Sequence, residues 1–315
     1  MDNLCHTFAG WALAEAGLKK RTPLGTAALL VAANVADVDG LAYFKGTLAA
    51  LCFRRGLTHG IVATAFWPFL LTALFLGWDR AVRRRRVPGL EPARPGQLLF
   101  LSAVGVLSHP LLDLLNAYGV RLLSPLSQRW FYGDALFIVD PWMWLLLGGG
   151  AALSRRAERR DAAGAGRPAR LGLGLAATYA ATMLVGGHVV ARRVAEELAA
   201  RGHPVVSVLA APLPVTPLRR KILADLGDAY ALGEWTPLSR PAISLSPRLL
   251  PKTDDAASAA RAAGTEAARR FLSWSRYPVY ETLPDGSVRI SDLRFRVRGL
   301  NWATLRVLPP PESGR

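Results

Sequence analysis

The stretch Ser108-His109-Pro110-Leu111-Leu112-Asp113 places two ionisable side chains inside an apolar run that covers residues 98–116. His109 and Asp113 are four residues apart, so on a helix they lie on one face, a single turn from each other. An imidazole and a carboxylate in this arrangement can bind one metal ion together. Because burying an unpartnered ionisable group in lipid is costly, the pair indicates a functional site. The alternative is a His–Asp hydrogen bond that holds two helices together.

The composition indicates a membrane protein rather than a nucleic-acid-binding one. Of the 315 residues, 51% are hydrophobic, and the mean hydropathy of +0.21 is high for a soluble protein. The net charge of +16 is concentrated in arginine runs that directly follow apolar runs, as in the cytoplasmic loops of membrane proteins. We therefore expect a lipid bilayer as the partner and no nucleic acid. Cys5 and Cys52 provide neither a disulfide framework nor a Cys-x-x-Cys metal pattern.

Four apolar runs are long enough to cross a bilayer, which takes about 20 residues. They cover residues 60–78, 98–116, 135–153 and 171–191, and Asp140-Pro141 interrupts the third. Two shorter helical patterns precede them, at residues 4–17 and 22–34. We interpret these two as a helical hairpin that enters the membrane partway or packs on the spans. The sequence therefore predicts a mainly α fold, with a polytopic helical membrane domain over residues 1–191.

The C-terminal portion, residues 192–315, changes character and predicts a small α+β domain. Residues 205–209 and 228–235 are typical of strands, and residues 256–271 form an alanine-rich helical pattern. Residues 274–283 and 288–297 flank Asp285-Gly286, which predicts a β-hairpin. We expect this domain to cap the metal site or to hold substrate, since it contains no visible catalytic constellation.

The distribution of basic residues predicts the orientation in the membrane. Clusters within residues 19–21, 80–86 and 155–170 fall on one side of the four spans, which the positive-inside rule assigns to the cytoplasm. Arg192 and Arg193 lie on the opposite side and are the one exception. The chain is thus predicted to be a multi-pass inner-membrane protein whose C-terminal domain is extracytoplasmic.

Histidines and aspartates from separate segments converge at similar depth on the extracytoplasmic side of this topology. The candidate metal ligands are His6, Asp37, Asp39, His59, His109, Asp113 and Asp140. Imidazole and carboxylate donors without thiolates suit zinc best, with manganese or iron as alternatives. Their number exceeds the needs of one tetrahedral ion and favours a two-metal site, which lowers the pKa of bound water and holds a phosphoryl group.

Four residues near this group carry alternatives. Asp134 and Asp140 are candidate ligands, but Asp140-Pro141 is also typical of a helix start, where the carboxylate acts as a cap. His188 either joins the site from the last span or packs as an ordinary helix histidine. His203 begins a loop, and we expect it to be exposed to solvent.

Seven short motifs follow one another along the first 190 or so residues. They are Asn3-Leu4-Cys5-His6-Thr7, Asn34-Val35-Ala36-Asp37-Val38-Asp39, Arg55-Gly56-Leu57-Thr58-His59, Ser108-His109-Pro110-Leu111-Leu112-Asp113, Tyr118-Gly119, Pro125-Leu126-Ser127 and Phe137-Ile138-Val139-Asp140-Pro141. In this order they resemble the membrane-bound metal-dependent hydrolase family, also described as LexA-regulated, inner-membrane-associated hydrolases. The resemblance implies metal-dependent hydrolysis at the membrane. A remoter likeness to zinc-dependent phospholipase C and the P1-type nucleases implies one zinc held by Asp37, His59, His109 and Asp113, with a contribution from His6.

The chain departs from the family pattern at two positions around the third motif. Family members usually have His-Arg-Gly-x-Thr-His-Ser, whereas this chain has Arg54-Arg55-Gly56-Leu57-Thr58-His59-Gly60. Arg54 replaces a common histidine, and Gly60 replaces the serine. The first exchange removes one candidate ligand, but an arginine at that position can hold a substrate phosphate.

Together these patterns predict a membrane metal-dependent hydrolase that cleaves a phosphoester, lipid phosphoesters included, with His59, His109, Asp113 and Arg54 as catalytic residues. The headgroup depth of the site motivates that substrate class. The alternative is a non-catalytic membrane protein whose metal or His–Asp network is structural and serves an envelope complex. An open coordination position beside a lipid-accessible groove favours the hydrolase, and a closed shell of protein ligands favours the alternative.

Overall fold

The computed structural model of the protein describes residues 1–296 and 303–309, apart from the side chains of Thr47 and Cys52. The helices are α1 Asn3–Glu15, α2 Gly25–Ala32, α3 Thr47–Phe53, α4 Ile61–Arg86, α5 Pro95–Leu114, α6 at residues 141–158, α7 Arg167–Ala200, α8 Ala256–Ala263 and α9 Glu266–Leu272. The chain forms two compact units. A helical unit contains Met1–Leu41 and Arg54–Val185, and a C-terminal unit contains Ala42–Phe53 and Gly186–Arg315.

Three helices among the described residues are long and apolar enough to cross a membrane, namely α4, α5 and α7. A fourth span is present if α2 and the following 3-10 helix Val35–Lys45, which meet at an angle of 41°, count as one broken span. Large apolar side chains of α4, such as Phe66 and Phe69, are exposed on the surface of the protein. Such a surface is suited to lipid, so the mainly α membrane fold predicted from the sequence is confirmed.

The predicted span at residues 135–153 is not among these candidates, because the helix α6 begins only at Pro141, at the predicted interruption. Residues 135–140 are not helical, and the amides of Ala135 and Leu136 both donate to the Leu115 carbonyl. The helical run passes through a π-turn at Leu145–Gly149 and ends at residue 158. Its apolar part is therefore about 13 residues, or roughly 20 Å, which is shorter than a full span, and the polar last turn of α6 contacts the basic turn after α1.

Helix α2 packs closely between α1 and α5 because small residues line both contacts. A Cβ atom added at Gly105 of α5 would lie 2.6 Å from Ala32 Cβ, and one added at Gly10 of α1 would lie 2.8 Å from the Leu29 carbonyl oxygen. Small residues at such positions allow helix backbones to approach each other in membranes. The close approach brings the C-terminal end of α2 beside the middle of α5.

The basic turns of the helical unit lie together at one end. Lys19, just after α1, contacts Glu158 at the end of α6 with 2.5 Å between Nζ and Oε2. The amide of Arg94, just before α5, donates to Thr22 Oγ1, just before α2. This region, here called the basic end, is therefore formed by the ends of several helices.

The C-terminal unit contains two antiparallel sheets, as the predicted α+β domain requires. The strands are β1 Ser207–Pro212, β2 Arg220–Asp225, β3 Ala229–Trp235, β4 Ile243–Leu245, β5 Leu250–Pro251, β6 Pro278–Thr282, β7 Val288–Asp292 and β8 Thr304–Val307. The first sheet has the order β1-β2-β3-β4, with β5 also paired to β3, and the second has the order β6-β7-β8. Side chains from the last part of α7, including Val194 and Leu198, pack against the first sheet.

Several C-terminal predictions need adjustment. The predicted helix at residues 256–271 divides into α8 and α9, because Thr265 caps α9 by accepting from the Ala268 amide. The predicted hairpin forms around Asp285-Gly286, although its second strand ends at Asp292 and the predicted end, Val297, lies outside the described residues. The strand predicted at 205–209 is shifted to β1, and the one at 228–235 is β3.

Candidate metal centre

Four segments of the helical unit bring six of the seven predicted ligands together. His6 comes from the first turn of α1, and Asp37 and Asp39 come from the 3-10 helix after α2. His59 lies just before α4, and His109 and Asp113 lie near the end of α5. The side chains of all three histidines and of Asp113 are fully buried, so this is an interior cluster rather than a surface patch.

The hydrogen bonds of two histidines fix which ring nitrogen carries the proton. His109 Nδ1 lies 2.7 Å from the Ala33 carbonyl oxygen, which can only accept, so Nδ1 carries the hydrogen. His59 Nδ1 lies 2.9 Å from Thr58 Oγ1, which donates its own hydrogen to Asp39 Oδ2, and 3.2 Å from Asp39 Oδ2 itself, so both neighbours act as acceptors. When no second proton is bound, the Nε2 lone pair of each ring is available for a ligand, as in metal sites whose histidines are oriented by a second group.

The two available nitrogens face each other and two carboxylates. His59 Nε2 and His109 Nε2 are 3.0 Å apart. Asp113 Oδ2 lies 3.2 Å from the first and 3.6 Å from the second, and Asp37 Oδ1 lies 3.8 Å from each. Electron-rich atoms this close repel one another unless a proton or a cation lies between them.

These separations match the edges of a tetrahedral coordination shell. Zinc bonds of 2.0–2.1 Å to nitrogen and oxygen place ligand atoms about 3.3 Å from each other. Of the six separations among the four donor atoms, the five that involve a histidine nitrogen run from 3.0 to 3.8 Å. His59 and His109 are therefore spaced as ligands of one ion with Asp37, and also with Asp113.

His6 belongs to a second, overlapping group of donors with His109 and Asp113. Its Nε2 atom is 3.3 Å from Asp113 Oδ1, and its ring stacks on that of His109 with 3.7 Å between centroids. Neither ring nitrogen of His6 has a hydrogen-bond partner. Because His109 has only one available nitrogen, the two groups cannot each bind an ion through it.

Burial and charge act oppositely on the two histidines outside the spans. Burial lowers the pKa of His6 well below its ordinary value, so the imidazole is neutral. Burial also lowers the pKa of His59, but the carboxylates of Asp113 and Asp39 raise it by more, so the net shift is upward. The cluster thus favours positive charge at His59, whether as a proton or as a metal ion.

Asp113 is held by a buried arginine that the sequence reasoning had not assigned. Arg55 Nη2 lies 2.8 Å from Asp113 Oδ1, and Arg55 Nη1 donates to Asn116 Oδ1 at 2.8 Å. The guanidinium also lies over the Tyr118 ring, 4.8 Å from its centroid. The backbone nitrogen of Met1 contacts the same carboxylate oxygen. Arg55 thereby offsets part of the cost of burying Asp113 and leaves Oδ2 directed at the histidines.

Asp39 supports the cluster without belonging to either group of donors. Its Oδ2 atom accepts from the Arg55 amide and from Thr58 Oγ1, both at 2.8 Å, besides facing His59. Arg54 lies beside both aspartates, with Nη2 3.1 Å from Asp37 Oδ1 and Nε 3.8 Å from Asp39 Oδ1. The side chain of Arg54 is 20% exposed and is the most accessible member of the cluster.

The remaining candidates lie elsewhere. Asp140 caps α6 by accepting from the Trp142 and Met143 amides, and it also accepts from Tyr179 Oη at 3.0 Å. Its capping alternative therefore accounts for its position. Asp134, His188 and His203 belong to neither donor group among the described residues, and His203 is half-buried rather than exposed.

Gly60, the other departure from the family pattern, lies where a side chain does not fit. A Cβ atom at this position would be 2.1 Å from the Ser124 carbonyl oxygen. The neighbouring Ile61 amide donates to the Leu122 carbonyl, so the backbone around His59 is fastened directly to the segment at residues 122–124.

Comparisons with known proteins agree with a membrane location. A family model described as the YdjM inner membrane protein matches residues 1–193, well over half of the chain. The curated protein YfhP of Bacillus subtilis (strain 168), described as uncharacterized, is 25% identical over 119 residues. That match covers 38% of this chain and 33% of YfhP, so the chain spans about a third of the length of this relative. No solved structure matches.

Proposed function

Because the chain belongs to the YdjM inner membrane protein family, we propose that it is a membrane-bound, metal-dependent hydrolase of the inner membrane. The observation that carries the proposal is the arrangement of His59, His109, Asp37 and Asp113. Two imidazole nitrogens face each other at 3.0 Å, and each lies 3.2–3.8 Å from two carboxylate oxygens. The Asp113 Oδ2 atom, which faces both nitrogens, is buried without a hydrogen-bond partner, which supports a cation as the missing partner.

We propose one ion rather than the two that the number of ligands first indicated. The single available nitrogen of His109 is the reason. Zinc suits four nitrogen and oxygen donors at these separations, and manganese or iron are the alternatives. When bound, such an ion supplies Lewis acidity and lowers the pKa of water.

The surrounding residues have separate roles in the proposed reaction. Asp39 and the Ala33 carbonyl hold His59 and His109 in the tautomers that leave Nε2 available. His6, which lies beside Asp113 with both ring nitrogens lacking a hydrogen-bond partner, can accept a hydrogen bond from the attacking water and orient it. Arg54 lies at the accessible side of the cluster and can pair with a substrate oxyanion.

A phosphoester is the substrate class we propose, lipid phosphoesters included. Arg54 offers a planar guanidinium that suits phosphate geometry. In the reaction, water adds to phosphorus, the bond to the leaving-group oxygen breaks, and the proton of water ends on that oxygen. The membrane location of the family makes a lipid headgroup a natural source of the ester.

A second candidate function is a structural metal site in a non-catalytic membrane protein. The specific observation in its favour is that two histidines and two aspartates supply as many side chains as a closed structural zinc site uses. Their burial is also nearly complete, with Asp37 only 5% exposed.

Metal analysis and turnover measured on the same variants separate the two functions. Protein purified in detergent should contain about one transition-metal ion per chain, the number one four-coordinate site holds. His109→Ala should lose the ion, whereas His203→Ala, a histidine outside both donor groups, should keep it. Wild-type protein that stays metal-free after supply with zinc, manganese and iron contradicts both functions.

Hydrolysis is then assayed on phospholipids and simple phosphodiesters in micelles. Wild type should hydrolyse at least one ester, and Arg54→Gln should keep its metal but lose most of that turnover. His59→Ala and Asp37→Asn should lose both. If metal is bound stoichiometrically, no ester in the panel is cleaved, and the ligand variants only unfold the protein, the structural function is the better account.

A further inference from the structure

A hollow of about 540 Å³ opens between α1 and the end of α6, in the helical unit. One tryptophan, one alanine and four arginines line it: Trp11, Ala152, Arg155, Arg156, Arg159 and Arg160. Its volume lies in the usual range of small-ligand sites. Along α1 it lies toward Glu15, at the basic end, whereas His6 of the metal centre lies toward the opposite end of that helix.

The charge of this hollow is largely uncompensated. Arg155 pairs with Glu158, whose carboxylate is shared with Lys19. Among the described residues, no carboxylate lies within ion-pair distance of Arg156, Arg159 or Arg160, and all three are exposed. Three cations crowded on one short segment repel one another, so an anion in the hollow would relieve that repulsion.

The hollow also lies where apolar surface gives way to charge. Leu145 and Leu153 of α6 are 62% and 59% exposed, which suits contact with lipid chains. The first arginine follows Leu153 by two residues. Trp11 contributes an indole beside the arginines, and tryptophan is enriched at the level of lipid headgroups.

We propose that this hollow binds the headgroup of an anionic phospholipid from the surrounding leaflet. The phosphate would pair with Arg156, Arg159 and Arg160, and the acyl chains would continue along the exposed leucines of α6. Arginine suits this role because its guanidinium makes paired hydrogen bonds to phosphate oxygens. The proposal does not depend on the metal centre or on hydrolysis.

Native mass spectrometry of the full chain in detergent tests the proposal. The protein is offered equal amounts of dioleoyl phosphatidylglycerol and dioleoyl phosphatidylcholine. We expect wild type to retain the anionic lipid preferentially. The double variant Arg156→Gln/Arg159→Gln should lose affinity for phosphatidylglycerol by at least about tenfold, because each basic residue near an anionic headgroup contributes measurably to binding. Binding of phosphatidylcholine should not change.

The matched control is Arg85→Gln/Arg86→Gln, which removes the same charge from two exposed arginines of another basic segment. An equal loss in this control would show that only net charge matters and would overturn the proposal. Equal retention of both lipids by wild type would overturn it as well.

Glycerol 1-phosphate added in solution distinguishes a lipid headgroup from a free phosphate as the ligand. If it competes as strongly as the lipid binds, the hollow is a site for a soluble phosphate, and the lipid proposal is overturned. Arg156→Lys/Arg159→Lys keeps the charge and should bind more tightly than the glutamine variant, which a folding defect would not explain.

Discussion

At the residue scale, Asp39 sets the orientation and the tautomer of the His59 ring within the cluster. One carboxylate oxygen of Asp39 accepts from a backbone amide, from the Thr58 hydroxyl and from the His59 ring. The turn that contains His59 and the tautomer of its ring are therefore set by the same group. Residues of this kind tune a metal ligand although they do not touch the metal themselves.

Replacing Asp39 should weaken metal binding without abolishing it. We expect Asp39→Asn to lower the affinity of the purified protein for zinc by roughly 10–100-fold, the effect typical of losing a group that orients a ligand. A competition titration with a chromogenic chelator measures that affinity. At saturating zinc the variant should still bind the same number of ions as wild type.

The control for this experiment is Asp161→Asn, an exposed aspartate in the linker after α6. It should bind zinc as wild type does. If Asp39→Asn cannot bind zinc at any concentration, Asp39 is a ligand, as the sequence first indicated. An unchanged affinity would mean that the contact with His59 has no influence on the ring.

The side chains of the cluster could be predicted from the sequence, but their support could not. His109 and Asp113 could be recognised from the sequence, because a spacing of four residues places two donors on one helix face. The group that fixes the His109 tautomer is the backbone carbonyl of Ala33. Every residue has such a carbonyl, so the residue types in the sequence do not predict this contact. Arg55 adopts a left-handed backbone conformation, with φ of 53°. This conformation is uncommon for arginine, so the local sequence did not predict it.

At the element scale, the close packing of α2 on α5 connects the membrane helices to the metal centre. The Ala33 carbonyl that holds His109 directly follows α2, one residue after Ala32. Gly105 lies four residues before His109, hence on the same face of α5. A change in the spacing of these two helices should therefore alter the hydrogen bond to His109.

Gly105→Ala should destabilise the protein and weaken its hold on metal. The added Cβ atom would lie 2.6 Å from Ala32 Cβ, so α2 must move away from α5. We expect a loss of about 1–3 kcal/mol in the free energy of unfolding, as for overpacked cores. Thermal unfolding in detergent, read with metal retention after dialysis, measures both effects.

Gly77→Ala is the matched control, because Gly77 lies inside α4 and has no other atom within 4 Å of the added Cβ. Alanine is the better helix former by about 1 kcal/mol, so this variant should be at least as stable as wild type. If the two variants behave alike, close packing of α2 on α5 does not support the site.

Elements whose apolar residues recur at regular spacing, or whose turn residues are typical, could be predicted from the sequence. Elements that depend on pairing or packing with other segments could not. The Asp285-Gly286 hairpin formed because its turn residues suit a tight connection. Strand β2 was missed because it pairs on both sides and buries three successive residues, Ile222, Leu223 and Ala224, so it shows no alternation. The start of the span predicted at residues 135–153 was misplaced, because the residues before Pro141 are apolar although they are not helical.

At the scale of the whole molecule, α5 separates two chemically distinct ends of the helical unit. It begins at Pro95, next to the basic end, and carries His109 and Asp113 near its other terminus. Twenty helical residues span about 30 Å, which is the thickness of a bilayer core. The arginine-rich turns and the candidate metal centre thus lie toward opposite ends of a helix that is long and apolar enough to cross a membrane.

This separation makes the orientation testable by protein fusions. Cytoplasmic loops of membrane proteins are enriched in Lys and Arg, so we predict that the basic end faces the cytoplasm and the metal centre the opposite side. Because α7 begins after the basic end and is long and apolar enough to cross the membrane, a fusion after residue 200 should be extracytoplasmic. Alkaline phosphatase, which folds only outside the cytoplasm, should be active there and inactive when fused at Arg160.

A fluorescent protein that folds only in the cytoplasm should give the opposite pattern, and it serves as the control for expression. If phosphatase is active at Arg160 and inactive after residue 200, the metal centre faces the cytoplasm. The proposed ester would then have to be supplied from the cytoplasmic leaflet.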